Sequence, residues 1–258
     1  MIKQIDLSRY TSIKIGPIVP VEVLEEPLHV AQNVLLLGGG NNLLISPTPP
    51  KMATLGKNFS FLHGEDNILH IGGATPSGKI LSFAKKHNLA NFELMQKLPG
   101  TLGGMVKMNA GLKEWEVFNH LIAIKTEAGW IEKKELEYGY RHTKIEGTIY
   151  EATFEIHQGF NNTLLEMFKK FRDNQPQLPS AGSCFKNPIG NFAGKLLDEA
   201  GLKGYRIGNI AFSETHANFL VNLGGGTYSE AIELITFAKE KVFLKSGVNL
   251  ENEIIIVD

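Results

Sequence analysis

The apolar positions fall into short runs broken by glycine. "NVLLLGGG" from Asn33 and "NILHIGGA" from Asn67 read as buried strands entering Gly-rich turns. "GKILSFAKKHNL" from Gly78 puts Ile80, Leu81, Phe83 and Ala84 near one side of a helix. "HLIAIKTEAGWIEKKE" from His120 predicts a hairpin turning near Ala128-Gly129, and "TIYEATFEIH" from Thr148 a further strand. The period then lengthens. "NTLLEMFKKFRDNQP" from Asn162 carries Leu164, Leu165, Phe168 and Phe171 at helical spacing, with Pro176 just past the end. "NFAGKLLDEAGLKG" from Asn191 predicts a second helix stopped at Gly201, and "HANFLVNLGGG" from His216 a strand. A long helix follows, opened by a Thr227/Glu230 capping box and stopped at Gly247. "EIIIVD" ends the chain as a strand. A β-rich, Gly-punctuated first part thus precedes an α+β second part, with the boundary between residues 157 and 180.

Composition narrows the class. A chain of 258 residues makes one large domain or two smaller ones with ample core. A net charge of −1 gives no nucleic-acid footprint, so no nucleic-acid partner is expected. The single Cys excludes an internal disulfide and permits a reducing compartment. The N-terminal stretch lacks a signal-peptide core, and no apolar run nears the ~20 residues of a membrane span. A cytoplasmic monomer without membrane contact is the expectation. The 27 Gly residues are clustered, at Gly38-Gly39-Gly40, Gly72-Gly73, Gly100 with Gly103-Gly104, and Gly224-Gly225-Gly226. Clusters of this kind mark close backbone approach or positive φ.

Several stretches carry candidate chemistry. "GATPSGKI" from Gly73 imitates a phosphate-binding P-loop, but Ile80 stands where Ser or Thr must hold magnesium, so a strand–turn–helix junction is the better reading. "LLLGGGNNLLIS" from Leu35 offers bare amides at Gly38, Gly39 and Gly40, with Asn41, Asn42 and Leu43 following. Such a nest suits a pyrophosphate, and equally a tight structural turn. "LPGTLGGMVKMNAG" repeats the theme through Pro99, Gly100, Thr101, Gly103, Gly104, Asn109 and Gly111, and two nests fit a dinucleotide such as FAD. "PSAGSCFKNP" sets the nucleophile-capable Ser183 and Cys184 side by side, with Lys186 and Asn187 after them, in a loop entering a helix. A lone Cys is more often inert and buried than reactive.

Taken together, "GGGNNLL", "LPGTLGG…NAG", "YGYRH", "GSCFKNP" with "AGKLLDEAGLKG", and "HANFLVN" run in order from Thr11 to Glu253. The set resembles the UDP-N-acetylenolpyruvoylglucosamine reductase family of peptidoglycan synthesis. The resemblance implies a noncovalent FAD enzyme that uses NADPH to reduce UDP-N-acetylglucosamine enolpyruvate to UDP-N-acetylmuramate. It implies an α+β, PCMH/vanillyl-alcohol-oxidase-like fold: one FAD lobe over residues 1–62 joined by 250–258, a second over 63–160, and a UDP-sugar domain over 161–249. The flavin pyrophosphate would lie on the Gly38–Asn42 and Pro99–Gly104 turns. Ser183 would be the general acid. Arg141 would hold the enolpyruvyl carboxylate, and Glu253 would help it stabilise the enolate. Tyr140, Lys186 and Asn187 would face the substrate, and no metal is implied.

The chain departs from the family in places. Gln96-Lys97 stands where many relatives have Gly-Ile, Asn41 where Ser is usual, and Leu112-Lys113 where Ala-Tyr often follows Asn-Ala-Gly. Asn252-Glu253-Ile254-Ile255 replaces a common Pro-Glu-Val-Arg, and with Glu251 two residues away a period of 2 puts both Glu on one strand face. The short span from Tyr138 to Pro179 resembles the subgroup without the inserted tyrosine loop that covers substrate. Two other classes fit the residues less well: a different flavin oxidase or dehydrogenase on the same fold, and a nucleotide-binding module.

Overall fold

The computed structural model describes residues 1–31, 33–96, 98–171 and 175–258. Lys97 of the Gln96-Lys97 departure, and the part of the helix expected from Asn162 that falls on 172–174, lie outside them. The chain divides into two compact units. One comprises residues 1–3, 20–39 and 51–173, the other residues 4–19, 40–50 and 174–258. The segments 4–19 and 40–50, read from the sequence as part of the first lobe, therefore belong with the C-terminal unit.

In the first unit, Lys51–Leu55 runs parallel to Ile18–Leu24 on one side and Val34–Leu37 on the other. Each strand buries part of its length, at Val21, Val23 and Leu24, at Leu37, and at Met52 and Ala53. A five-stranded sheet follows, in the order Gly129–Glu132, Leu121–Thr126, Glu151–Glu155, Ile68–Gly72, Leu62–Glu65, with neighbours antiparallel. The helix Ser77–Lys86 buries Ile80 and Ala84 in the core that Leu69, Ile71, Ile124 and Phe154 build. The helix Asn162–Lys170 buries Leu165 and Phe168, and Phe168 meets the Trp115 ring edge-on at 5.3 Å. Each fully buried Ile, Leu or Phe here contributes about 1.5–3 kcal/mol of transfer free energy.

The second unit holds an antiparallel sheet in the order Ser180–Ser183, Phe219–Asn222, Ile210–Phe212, Arg206–Ile207. The helices Ala193–Glu199 and Tyr228–Ser246 supply Leu196, Leu197, Leu234, Ile235 and Val242 to its core, together with Phe185, Phe212 and Leu220. The long helix has the expected reciprocal cap between Thr227 and Glu230, and Gly247 ends it at φ +71. The last strand, Ile255–Val257, pairs in parallel with Leu43–Ile45 and is shorter than the apolar run suggests. Among the described residues no helix is long and apolar enough to cross a membrane.

Candidate active site

The strand that ends in Ser183 carries an irregularity that decides its chemistry. Ser180 lies opposite Val221 and Ser183 opposite Phe219, so three steps on one strand match two on its partner. One extra residue makes a β-bulge, which Gly182 accommodates at φ +85. The Ser180 hydroxyl bridges the gap in the ladder, accepting the Gly182 N–H at 3.2 Å and donating to the Leu220 carbonyl at 2.7 Å. Strict alternation would send Ser183 to the core side with Ala181 and turn Cys184 outward. The bulge reverses this. Ser183 is half-buried on the Phe219 and Val221 side, while Cys184 is 0% exposed inside the core. Burial drives the Cys184 thiol far above its ordinary range, so it is no nucleophile at neutral pH. The stretch read as a helix-entry loop is thus an edge strand in its first half, because its Ser and Ala backbone completes the Phe219–Asn222 ladder.

The next residues are pinned by a buried side chain. Asn218 accepts the Phe185 N–H at 3.0 Å and donates to the Phe185 carbonyl at 2.8 Å, as a strand neighbour would. Lys186 donates its N–H to the Glu251 carbonyl, and its ammonium meets the Glu251 carboxylate at 2.5 Å. Asn187 accepts the Ala193 N–H at 3.0 Å, which caps the helix Ala193–Glu199. Glu253 donates its N–H to the Cys184 carbonyl at 2.9 Å, and its own carbonyl accepts from the Asn42 amide at 2.9 Å. The sequence places Glu251 and Glu253 on one strand face; the structure separates them. The strand starts only at Ile255, and the chain bends at Glu253 and Ile254 because their N–H groups both turn to the Cys184 carbonyl. Glu251 is exposed and paired with Lys186, whereas Glu253 is half-buried and its charge helps push the Cys184 thiol up.

In the first unit, Tyr138–Gly139 and His142–Thr143 form a hairpin whose two-residue turn is Tyr140-Arg141. Arg141 sits at φ +53, a conformation that favours Gly or Asn and costs an Arg roughly 1–2 kcal/mol. Its side chain is 13% exposed. It donates to the Gly111 carbonyl at 2.5 Å and to the Asn109 carbonyl at 3.4 Å, and lies 4.9 Å from the centre of the Tyr140 ring. Strain of this kind in a polar, half-enclosed position marks functional turns.

The Gly clusters divide into cradles and structural turns. A Cβ on Gly38 would lie 3.1 Å from the Thr101 hydroxyl and 3.6 Å from Gly104, so these stretches approach through bare backbone. No hydrogen bond among the described residues engages the N–H of Gly39, Gly40 or Asn41, while the Gly40 carbonyl accepts from Ser12. The second nest is more committed. Leu102 and Gly103 donate their N–H groups to the Thr75 and Gly73 carbonyls, and Gly103-Gly104 lie inside a short helix, Leu102–Lys107, rather than in the open turn that was expected. A Cβ on Gly103 would lie 3.2 Å from the Gly73 carbonyl oxygen, so glycine lets the helix pack closely there. Asn109 and Gly111, expected against the cofactor, present their carbonyls to Arg141. The Asn109 side chain is fully enclosed by internal hydrogen bonds, and a Cβ on Gly111 would strike the Trp115 carbonyl at 2.4 Å. Gly224–Gly226 wind around Asn222, which accepts the N–H of Gly224 and of Gly226 at 2.9 Å each. The P-loop imitation is structural: Lys79 donates to the Ser60 carbonyl at 2.7 Å, and Ile80 is 0% exposed. Asn218, Ser180 and Glu116 were not singled out from the sequence; only the Gly inside "SAGS", a usual sign of a bulge, pointed to one of them.

The chain is a mixed α+β protein with glycine-lined backbone turns and a polar Ser183, Lys186 and Glu253 segment at and beyond an edge strand, an arrangement suited to a bound cofactor and an anionic substrate. Residues 174–257 match the family model described as the C-terminal domain of UDP-N-acetylenolpyruvoylglucosamine reductase. The enzyme of that name from Helicobacter hepaticus is 48% identical over 257 residues, covering 98% of each chain. Its counterpart from Helicobacter pylori strain 26695 is 42% identical over 98% of each. The crystal structure of the Thermus caldophilus UDP-N-acetylenolpyruvylglucosamine reductase superposes with a TM-score of 0.87 at 27% identity, over 100% of this chain and 99% of that one. The chain belongs to the UDP-N-acetylenolpyruvoylglucosamine reductase family, an FAD-containing oxidoreductase family. The residues fit the flavin: at Gly38 a Cβ would lie 3.1 Å from the Thr101 hydroxyl, so glycine leaves bare backbone there of the kind that suits pyrophosphate oxygens.

Proposed function

We propose that this chain reduces UDP-N-acetylglucosamine enolpyruvate to UDP-N-acetylmuramate with NADPH, in peptidoglycan precursor synthesis. The family membership established by 48% identity over 98% of the chain carries this reading. The Gly38–Asn42 amides and the Thr101 hydroxyl would hold FAD noncovalently, and the bound flavin would supply the hydride chemistry between NADPH and the enolpyruvyl methylene carbon. The protein's own residues do the rest. Arg141 offers its planar fork to the substrate carboxylate and stabilises the negative charge that develops there. Glu253 acts with it on the enolate. Ser183 gives its hydroxyl proton to the adjacent carbon. A serine is a weak acid, so this role needs fixed charge nearby. Lys186 is the cation of the same segment, held by Glu251. Tyr140 and Asn187 line the substrate. The Lys51–Leu55 sheet and the five-stranded sheet form the two flavin lobes. The enzyme works as a cytoplasmic monomer.

The test is the visible spectrum of the purified protein. A flavin band that bleaches with NADPH without oxygen, and returns on adding the enolpyruvyl sugar nucleotide, is the expected result. A band that bleaches but does not return removes the substrate and favours another flavin dehydrogenase on this fold. A colourless protein that FAD cannot reconstitute overturns the reading.

A further inference from the structure

Arg141 is braced at both ends, and the brace leads to a residue with no role in the function above. The carbonyls that accept its guanidinium belong to Asn109 and Gly111. Their place is set by the Asn109 side chain, which is 0% exposed and sits on backbone at φ +40. Its amide nitrogen donates to Glu116 Oε2 at 2.8 Å and to the Gly139 carbonyl at 3.0 Å, and its oxygen accepts the Phe118 N–H at 3.3 Å. Gly139 is the residue before the Tyr140-Arg141 turn. One carboxamide therefore fixes both the carbonyls beneath the guanidinium and the strand that delivers it.

Glu116 engages this bracket twice. Oε2 holds Asn109, and Oε1 stands 3.9 Å from Arg141 Nη1, with the two side chains 22% and 13% exposed. At that distance the carboxylate attracts the guanidinium without forming the short bidentate pair that would occupy its fork. The guanidinium is oriented by this charge and by the backbone carbonyls of Asn109 and Gly111.

We propose that Glu116, acting through Asn109, is the positioning residue that sets the Arg141 guanidinium for a carboxylate-bearing ligand. The inference rests on the reading that Arg141 holds the substrate carboxylate.

The test uses FAD-loaded enzyme and four variants: Glu116→Ala, Glu116→Gln, Arg141→Ala and the Glu116→Ala/Arg141→Ala double. Each is titrated at equilibrium with the enolpyruvyl sugar nucleotide and with UDP-N-acetylglucosamine, which lacks the carboxylate. Glu116→Ala is expected to weaken the first ligand about tenfold and the second by no more than about twofold, and to add nothing in the Arg141→Ala background. Glu116→Gln keeps an acceptor for Asn109 without the charge, and should fall between wild type and Glu116→Ala. Equal weakening of both ligands, or a full Glu116→Ala effect without Arg141, would mean a merely structural role and overturn the proposal. If Glu116→Ala yields no folded holoenzyme, the same two-ligand comparison on Glu116→Gln decides. An Arg141→Ala enzyme that binds the carboxylate ligand normally overturns the underlying reading of Arg141 itself, and the proposal with it.

Discussion

Ser183 and Arg141 are brought to their positions by opposite means. Ser183 is aimed by backbone register: one added residue in an edge strand, taken up by Gly182 at φ +85, turns Ser183 to one face and Cys184 to the other. Its side chain needs no neighbour to point it. Arg141 is aimed by partners. Its backbone is strained at φ +53, and a frame of carbonyls and one carboxylate holds the long side chain. A short side chain has few rotamers to restrict, so the backbone suffices. A long cation loses about 2 kcal/mol of rotamer entropy when fixed, so it needs a bracket. Register-aimed residues should therefore be sensitive to backbone changes, and bracket-aimed residues to the loss of distant acceptors.

The largest effect should come from Ser183→Ala. Removing the hydroxyl removes the proposed proton donor, and a positioned acid is worth about 10²–10⁴-fold. Reoxidation of the reduced enzyme by the enolpyruvyl sugar nucleotide should slow by that factor in anaerobic stopped-flow, while reduction by NADPH stays within about twofold. Equal losses in both half-reactions would remove Ser183 from the chemistry. Arg141→Lys comes next. Lysine keeps the charge but not the fork, so reoxidation should slow about 10–100-fold with weaker binding of the carboxylate ligand. An unchanged enzyme would mean that only charge is read at this position.

Gly182→Ala separates register from contact. A Cβ at Gly182 would meet nothing within 4 Å, so the substitution tests the left-handed backbone alone. The strain should cost roughly 1–2 kcal/mol of stability, read as a fall in melting temperature. If the strand relieves it by slipping out of the bulge, Ser183 leaves its face and reoxidation falls further than the stability loss explains. A slip would also expose Cys184, which a thiol reagent would then label in the folded protein. Stability loss with full activity and an unreactive Cys184 would show that the bulge is pinned by Ser180 and Asn218 instead.

How much of this was legible in the sequence follows the same division. Periodicity carried the long helices and the caps at Thr227 and Gly247, which depend on residues three or four apart, and the Leu121–Glu132 hairpin, which depends on alternation around one turn. The family motifs placed Ser183, Arg141 and Glu253 on the list. Periodicity failed where one N–H or one residue reassigns a face. The bulge at Gly182, the bend at Glu253 and the helix over Gly103-Gly104 are each fixed by contacts distant in sequence. The Glu116–Asn109 bracket was silent for a related reason. Asn109 was read as a ligand of the cofactor, and nothing local shows that its amide is enclosed by Glu116, Phe118 and Gly139.

The smallest effect tests the frame behind Ser183 through pH. His216 accepts the Asn218 N–H on Nδ1 at 3.3 Å and meets the Phe219 ring edge-on at 5.0 Å. Burial lowers its pKa, a hydrogen bond with its own backbone works the other way, and Lys203 adds to the lowering. The ring is thus held neutral, and protonation would remove the acceptor that Asn218 uses. The unfolded chain binds the proton more readily than the native state, so this group's stabilisation is complete above the unfolded value of about 6.5 and is lost as pH falls below it. His120, also lowered chiefly by burial, contributes with the same sign, so a wild-type acid limb alone does not single out His216. The difference between wild type and His216→Gln does. The wild-type advantage in melting temperature should shrink by about 1–3 °C between pH 7 and pH 5. A difference that stays constant over that range would mean that His216 packs against Phe219 without titrating, and that the Asn218 clamp beneath Ser183 does not depend on its charge.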